Sequence, residues 1–258
     1  MLDLAIFTAL DWERRAVAPG LAGLEVTPTP RTWRGRLGDG GSCLVAQTGV
    51  GVERARTVAA SVPPARAFLA CGCAGALAEW LRPGDLVAGD AVTALDATGR
   101  PVERLPATGA TLAAWAVARG FRVHRGVIAS SPSVLGTARA KADAAADGAL
   151  VVEMESAAVA AEACARGIPF VALRVVLDGA TEELGPLVGA VDPATGDLRP
   201  RRALAALGPR PWLWPTAVRL GRQTRIAEGQ LRAIMAAVLA AGMEALVGGP
   251  EPASAVAN

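Results

Sequence analysis

Four short apolar runs constrain this chain most: Leu2 to Thr8, Ala67 to Cys71, Leu150 to Val152 and Phe170 to Leu177. None alternates with polar residues, so each reads as a strand covered on both faces. Between and around them lie helix signals. Asp11-Trp12-Glu13-Arg14-Arg15 puts acids in a first turn, Glu53 to Ser61 and about Thr111 to Arg119 follow, one helix runs through Ala144, and another covers 155–166. Thr32 to Leu37 and Cys43 to Gln47 read as a hairpin across the Gly-Asp-Gly-Gly turn at 38–41. Ala67 to Cys71 is expected to end in a glycine turn at 72–75, Pro83-Gly84-Asp85 to open a strand pair through Thr93, and Arg122 to Ala129 to return as a strand. Strands alternating with helices predict an α/β fold: a single domain with a mixed, partly parallel central sheet and helices on both sides.

With 258 residues there is enough chain for one large core, and with 4% aromatics that core must be built from Ala, Val and Leu. The domain is expected to span 1–247, with 248–258 a disordered tail. A net charge of +2 argues against a nucleic-acid partner. Cys43, Cys71, Cys73 and Cys164 lack zinc or redox spacing and read as small buried thiols in a reducing cytosol. No signal peptide is read at the N-terminus, and the longest uninterrupted apolar stretch, Ala233 to Met243, is too short for a membrane span, so a cytoplasmic protein is expected. Charge is uneven, however. Seven Arg and no acid fall between Arg199 and Arg225, with Trp212 and Trp214 among prolines, before a final helix carrying Leu231, Ile234, Met235, Val238, Met243 and Leu246 at helical spacing.

Chemistry is restricted by what is missing. His124 is the only histidine and tyrosine is absent, which removes His-dependent triads and His-based metal clusters; no metal site is expected. Acid–base work falls to Asp and Glu. Val151-Val152-Glu153-Met154-Glu155-Ser156 places two carboxylates and a Met where a buried strand gives way to a helix, and Asp178 closes the next buried strand. In α/β sheets, ligands bind at that edge. Cleaving a sugar-to-base bond requires three things: a base to deliver the nucleophile to C1′, a grip on the ribose hydroxyls, and a proton or hydrogen bond for the leaving base. Glu13, Glu155 and Asp178 are the candidates. Taken singly, Glu13 and Glu155 are ordinary helix acids, and the glycine turns fit tight packing as well as ligand approach. Asp178 is the least easily dismissed, since an acid closing a buried strand needs a partner or a purpose.

From Leu2 to Ala180 the chain resembles the nucleoside phosphorylase and methylthioadenosine nucleosidase superfamily. The resemblance rests on Ala9-Leu10-Asp11-Trp12-Glu13, Thr48-Gly49-Val50-Gly51, Cys71-Gly72-Cys73-Ala74-Gly75, Gly84-Asp85, Glu153-Met154-Glu155 and Arg174 through Asp178-Gly179-Ala180, in that order. It implies a homo-oligomer, as a dimer, that splits the N-glycosidic bond of nucleosides without a cofactor, phosphate being a co-substrate if the enzyme is a phosphorylase. Carried over by position, Glu13 would activate water, Glu153 and Met154 would line the ribose site, Glu155 would bind the ribose hydroxyls, and Asp178 would serve the purine edge. Gly49, Gly51, Gly72 and Gly75 would let the backbone approach the ligand.

Three departures bear on the reaction. Leu177 stands where nucleosidases commonly carry Ser, and Ser131-Pro132-Ser133-Val134 replaces an Asp and a stacking Phe. The Arg with which the phosphorylases hold phosphate is missing from Phe68-Leu69-Ala70-Cys71, which favours water as nucleophile. The second half, with Leu184 to Leu187, Val191-Asp192-Pro193, Gly196 and the Arg- and Trp-rich segment, resembles the hopanoid-associated phosphorylases. That likeness implies adenine removal from adenosylhopane, a lipid-linked adenine nucleoside, and makes 199–225 a candidate for peripheral contact with anionic lipid at the inner membrane face. The alternatives are a methylthioadenosine- or futalosine-type nucleosidase and an inert nucleoside-binding protein.

Overall fold

Strand β1 (Leu2–Thr8) explains why Leu4 to Phe7 are all apolar. Leu4 and Ile6 point to one side of the sheet and Ala5 and Phe7 to the other, and both sides are covered. The computed structural model describes residues 1–183 and 214–247, and its strands join in one mixed sheet. Strand β1 lies parallel to β4 (Ser42–Gln47) and β5 (Ala65–Ala76). The antiparallel strands β3 (Thr32–Arg36) and β2 (Ala22–Val26) extend that edge, so the expected hairpin is present and gains a third strand that the sequence pattern does not show.

On its other side, β5 starts a closed circuit. It pairs with β10 (Phe170–Asp178), β10 with β6 (Leu86–Leu95), β6 with β8 (Val123–Ser130), β8 with β9 (Ala149–Glu153), and β9 returns to the end of β5 through Gly75 and Ala76. A further strand, β7 (Pro101–Pro106), pairs with β6. The expected glycine turn at 72–75 is therefore strand. Gly72 to Gly75 continue β5 and carry its pairing with β10 as far as Asp178. The glycines serve packing here rather than chain reversal, since β5 must pass close to side chains from neighbouring elements.

Helices cover both faces. Helices α2 (Val52–Ser61) and α5 (Ser156–Ala165) press Ala55, Ala59, Ala158 and Val159 onto Phe7, Phe68 and Ala172. On the opposite face lie α1 (Asp11–Val17), α3 (Gly109–Val117) and the long α6 (Trp214–Ala241), ending in the short α7 (Glu244–Val247). Leu231, Ile234, Met235 and Val238 of α6 are fully buried there, in agreement with their helical spacing. Gly38 lets the hairpin touch this helix directly: its N–H donates to the Leu239 carbonyl at 2.8 Å, and a Cβ would lie 2.1 Å from the Ala240 oxygen. The remaining helix, α4 (Ala138–Ala144), packs beside β9.

Two expectations change. Cys164 is exposed, because it falls on the solvent side of α5, while Cys43 and Cys71 are buried and Cys73 is half-buried. The final helix begins at Trp214, inside the Arg-rich segment. Leu184 to Gly196, the Arg and Trp residues from 199 to 213, and the tail from 248 lie outside the described residues. Among the described residues no helix is long and apolar enough to cross a membrane.

Because α6 is held by its apolar stripe, Leu231→Ala should destabilise the protein by about 2–5 kcal/mol, the range for a large-to-small change in a closed core. Exposed Arg232→Ala on the same helix should stay within about 0.5 kcal/mol. Thermal and denaturant unfolding of the two variants checks this.

Candidate active site

The loop that leads from β1 into α1 is short, so the first turn of the helix falls directly over β5. Glu13, in that turn, curls its carboxylate back onto the helix start, where Oε2 accepts from the Ala9 and Leu10 N–H groups, each at 2.9 Å. Oε1 reaches across to β5 and accepts from the Cys73 N–H at 2.8 Å. Three backbone donors thus fix a buried carboxylate that local pattern alone would place on a solvated helix face. Gly72 makes room for it, since a Cβ there would lie 2.5 Å from Glu13 Oε1.

Glu155 sits at the entrance to α5, one residue before the helix, and is buried. Its Oε1 accepts from the Gly51 N–H at 2.8 Å. Gly51 adopts φ +105°, open to glycine and strained for other residues, and so presents its N–H at the start of α2. Glu153 is held in a different way. Its Oε2 accepts from the Glu155 N–H at 3.0 Å, the Ser156 N–H at 2.8 Å and Arg174 Nη2 at 2.5 Å. Arg174, buried in β10, also donates to Ser156 Oγ at 2.7 Å. Glu153 therefore caps α5 and neutralises Arg174, and both are committed to the protein.

Asp178 ends β10 opposite Gly75, where the register shifts after Val176. Such a shift re-aims a side chain at the end of a strand. Its Oδ2 accepts from the ammonium of Lys141 on α4, and no described residue donates to Oδ1. Lys141 also donates to the carbonyls of Gly179 at 2.7 Å and Glu182 at 3.2 Å. Sequence reasoning does not single it out, although one signal is there: it is the only lysine among 26 basic residues.

These groups surround one cavity of about 190 Å³. Glu13, Glu153, Met154, Glu155, Asp178, Gly75 and Lys141 line it, and Leu10, Val50, Val134, Leu135 and Leu177 supply apolar walls. Gly49, Gly51 and Gly72 stand behind this surface: Gly49 turns the chain at φ +75°, Gly51 holds Glu155, and Gly72 yields to Glu13. The Glu13 carboxylate lies over Gly72 and that of Asp178 lies beside Gly75. Gly72 and Gly75 are three residues apart along β5, roughly 10 Å at strand rise, so the two acids meet the strand at separate points. A ribose with its base can lie between them. Of the described cationic side chains only Lys141 lines the cavity, and its three protons are taken.

A closed strand circuit, helices on both faces and an acid-lined cavity at strand ends define an α/β protein built to hold a small polar ligand against carboxylates. The chain belongs to the phosphorylase superfamily, whose family model matches residues 3–195. Among solved structures it is similar to 5′-methylthioadenosine/S-adenosylhomocysteine nucleosidase from Neisseria meningitidis in complex with methylthio-immucillin-A (TM-score 0.70, 20% identity, 92% of this chain and 97% of that one). It is also similar to the Helicobacter pylori nucleosidase, in a point-mutant form with 5′-methylthioadenosine in its active site (0.67, 17%, 92% and 100%). A futalosine hydrolase mutant from Helicobacter pylori matches at 0.60 with 20% identity, over 68% of this chain and 89% of that one. At these identities the likeness is one of fold. A search of curated protein sequences returns no match.

Burial first, then the neighbouring Glu153 carboxylate, pushes the Glu155 carboxyl up to about 8, against the pull of Arg174 and the Gly51 N–H. Between its ordinary value of 4.5 and that level, the folded protein holds a proton that the unfolded chain has lost. Stability must fall as pH rises through this window. Burial raises Asp178 too, adding a contribution of the same sign. The unfolding temperature is expected to drop between about pH 5 and about pH 9, with a shallower slope in Glu155→Gln. A wild-type slope in that variant would show that the titrating group lies elsewhere.

Proposed function

We propose that this protein hydrolyses the N-glycosidic bond of an adenine nucleoside. The observation that carries the reading is the placing of Glu13 and Asp178 at separate stations along the glycine-rich end of β5, with Glu155 facing the same cavity. In this reaction Glu13 takes a proton from the water that attacks C1′, its orientation preset by three backbone donors. Glu155 accepts from the ribose hydroxyls as the ring becomes cationic, and Met154 packs beside the sugar. Asp178 gives a proton to the departing base from Oδ1. Phosphate is disfavoured as nucleophile: Lys141 is saturated, and Arg174 is engaged by Glu153 and Ser156.

The finer reading is that the nucleoside is adenosylhopane and that the enzyme works as a cytoplasmic dimer at the inner membrane face. The apolar wall of Leu10, Val50, Val134, Leu135 and Leu177 supports a hydrocarbon at the 5′ position. A stripe on α6 supports contact with lipid: Trp214, Val218, Arg222 and Arg225 are all exposed and share the side opposite the buried residues. A second reading, a small soluble nucleoside, is favoured by the names of the similar structures, 5′-methylthioadenosine/S-adenosylhomocysteine nucleosidase and futalosine hydrolase.

Free adenine should appear from adenosylhopane in detergent with phosphate left out, and Asp178→Asn should slow its release by about 100-fold or more. Release from 5′-methylthioadenosine alone selects the second reading, and release only with phosphate replaces water as nucleophile. The protein should also co-sediment with vesicles rich in phosphatidylglycerol and come off at high salt. Equal binding to phosphatidylcholine vesicles would contradict the lipid contact.

A further inference from the structure

We propose that Lys141 is a positioning residue for the leaving-group acid: it grips Asp178 from behind and stabilises the negative charge that Asp178 acquires when it gives up its proton. This inference rests on the reading that Asp178 serves the departing base.

The geometry is specific. Lys141 is the chain's only lysine, and it is 1% exposed. Burying an ammonium is unfavourable unless it is paired and hydrogen-bonded. Its partners all belong to one short stretch: Asp178 Oδ2, the Gly179 carbonyl and the Glu182 carbonyl. An ammonium has three donors, and here each has an acceptor. Lys141 thus has nothing left to offer a substrate and acts through Asp178. It also joins two walls of the cavity. It sits on α4, after the loop that supplies Ser133, Val134 and Leu135, and it holds the chain leaving β10. Glu182 continues the connection, since its side chain accepts from Gln223 at 2.8 Å and pairs with Arg219 at 3.3 Å, both on α6.

The proton inventory follows from this arrangement. Lys141 occupies Oδ2, so a proton that Asp178 passes to the base is carried on Oδ1, the oxygen without a described donor. When the glycosidic bond breaks, its electron pair leaves with the base, and the base takes that proton at its ring edge. Asp178 becomes a carboxylate against the Lys141 ammonium, and water adds to C1′ as its proton passes to Glu13. Negative charge grows on Asp178 only as the bond breaks, so a fixed cation behind it favours the transition state over the ground state. Burial raises Asp178 while Lys141 opposes the rise. Without the ammonium Asp178 would hold its proton to higher pH and release it less readily.

Lys141→Met tests this in the full-length protein, with 5′-methylthioadenosine or adenosylhopane as probe, whichever is turned over, and 4-nitrophenyl β-D-ribofuranoside as a second substrate whose phenolate leaves without a proton. Adenine release should fall by about 10-fold or more in kcat with little change in KM, and the alkaline limb of its pH profile should move up. Nitrophenolate release should change little. In an Asp178→Asn background, Lys141→Met should add almost nothing, because the two act as one unit. Equal losses on both substrates, an unmoved pH limb, or a full additional loss in the Asp178→Asn background would overturn the inference while leaving the role of Asp178 standing. An Asp178→Asn protein with undiminished adenine release overturns both. If the Met variant does not fold, Lys141→Gln, a neutral donor of similar reach, takes its place with the same expectations.

Discussion

The buried pair between Arg174 and Glu153 is the interaction on which the site depends. Arg174 comes from β10 and Glu153 from the end of β9, two strands that do not pair with each other. Both side chains are 2% exposed, and Glu153 also accepts from the first N–H groups of α5. Removing one member of such a pair typically destabilises a protein by about 3–5 kcal/mol, because an uncompensated charge is left behind. Here the consequence would also be geometric. The same contacts set where α5 begins, and Met154 and Glu155 occupy the two positions just before it.

The three remaining acids are each held by a different device. Glu13 takes three backbone N–H groups from two elements, Glu155 takes the N–H of a glycine with positive φ, and Asp178 takes the ammonium of Lys141. The holding groups come from the loop before α1, from β5, from the residue preceding α2 and from α4, so no acid depends on its own local segment alone. Groups fixed in this manner need little reorganisation when charge develops beside them, which is the condition for electrostatic catalysis. Glu155 and Asp178 are both raised by burial and a neighbouring carboxylate, Glu153 and Glu182 respectively, and in each a cation, Arg174 or Lys141, opposes the rise.

Much of the framework is legible in the residue pattern. Predominantly apolar runs such as Leu2 to Thr8 and Phe170 to Leu177 can be satisfied only by a sheet covered on both faces, and the stripe from Leu231 to Val238 fits only a packed helix. Strands β2 and β7 escape because they are largely exposed and lie towards the edge of the sheet, so no burial pattern marks them. The segment 72–75 misleads for a different reason. Glycines there resemble a turn, yet their lack of a side chain answers to Glu13, which lies 60 residues from Cys73 in sequence.

What the sequence determined by itself was the supply of chemistry and its distribution along the strands: carboxylates rather than histidine, with Glu153, Glu155 and Asp178 at strand ends where an α/β sheet exposes them. Tertiary structure alone decided the roles. Glu153 and Glu155 are two residues apart and look equivalent in the chain, but one is consumed by Arg174 and the helix start while the other is left with an oxygen pinned by Gly51. Lys141 is an unremarked helix residue until the fold brings it against Asp178. The physical reason is the same in both cases. Whether a charged group is free to act depends on which partners reach it through space, and the deciding partners here, Arg174 for Glu153, Gly51 for Glu155 and Asp178 for Lys141, lie tens of residues away.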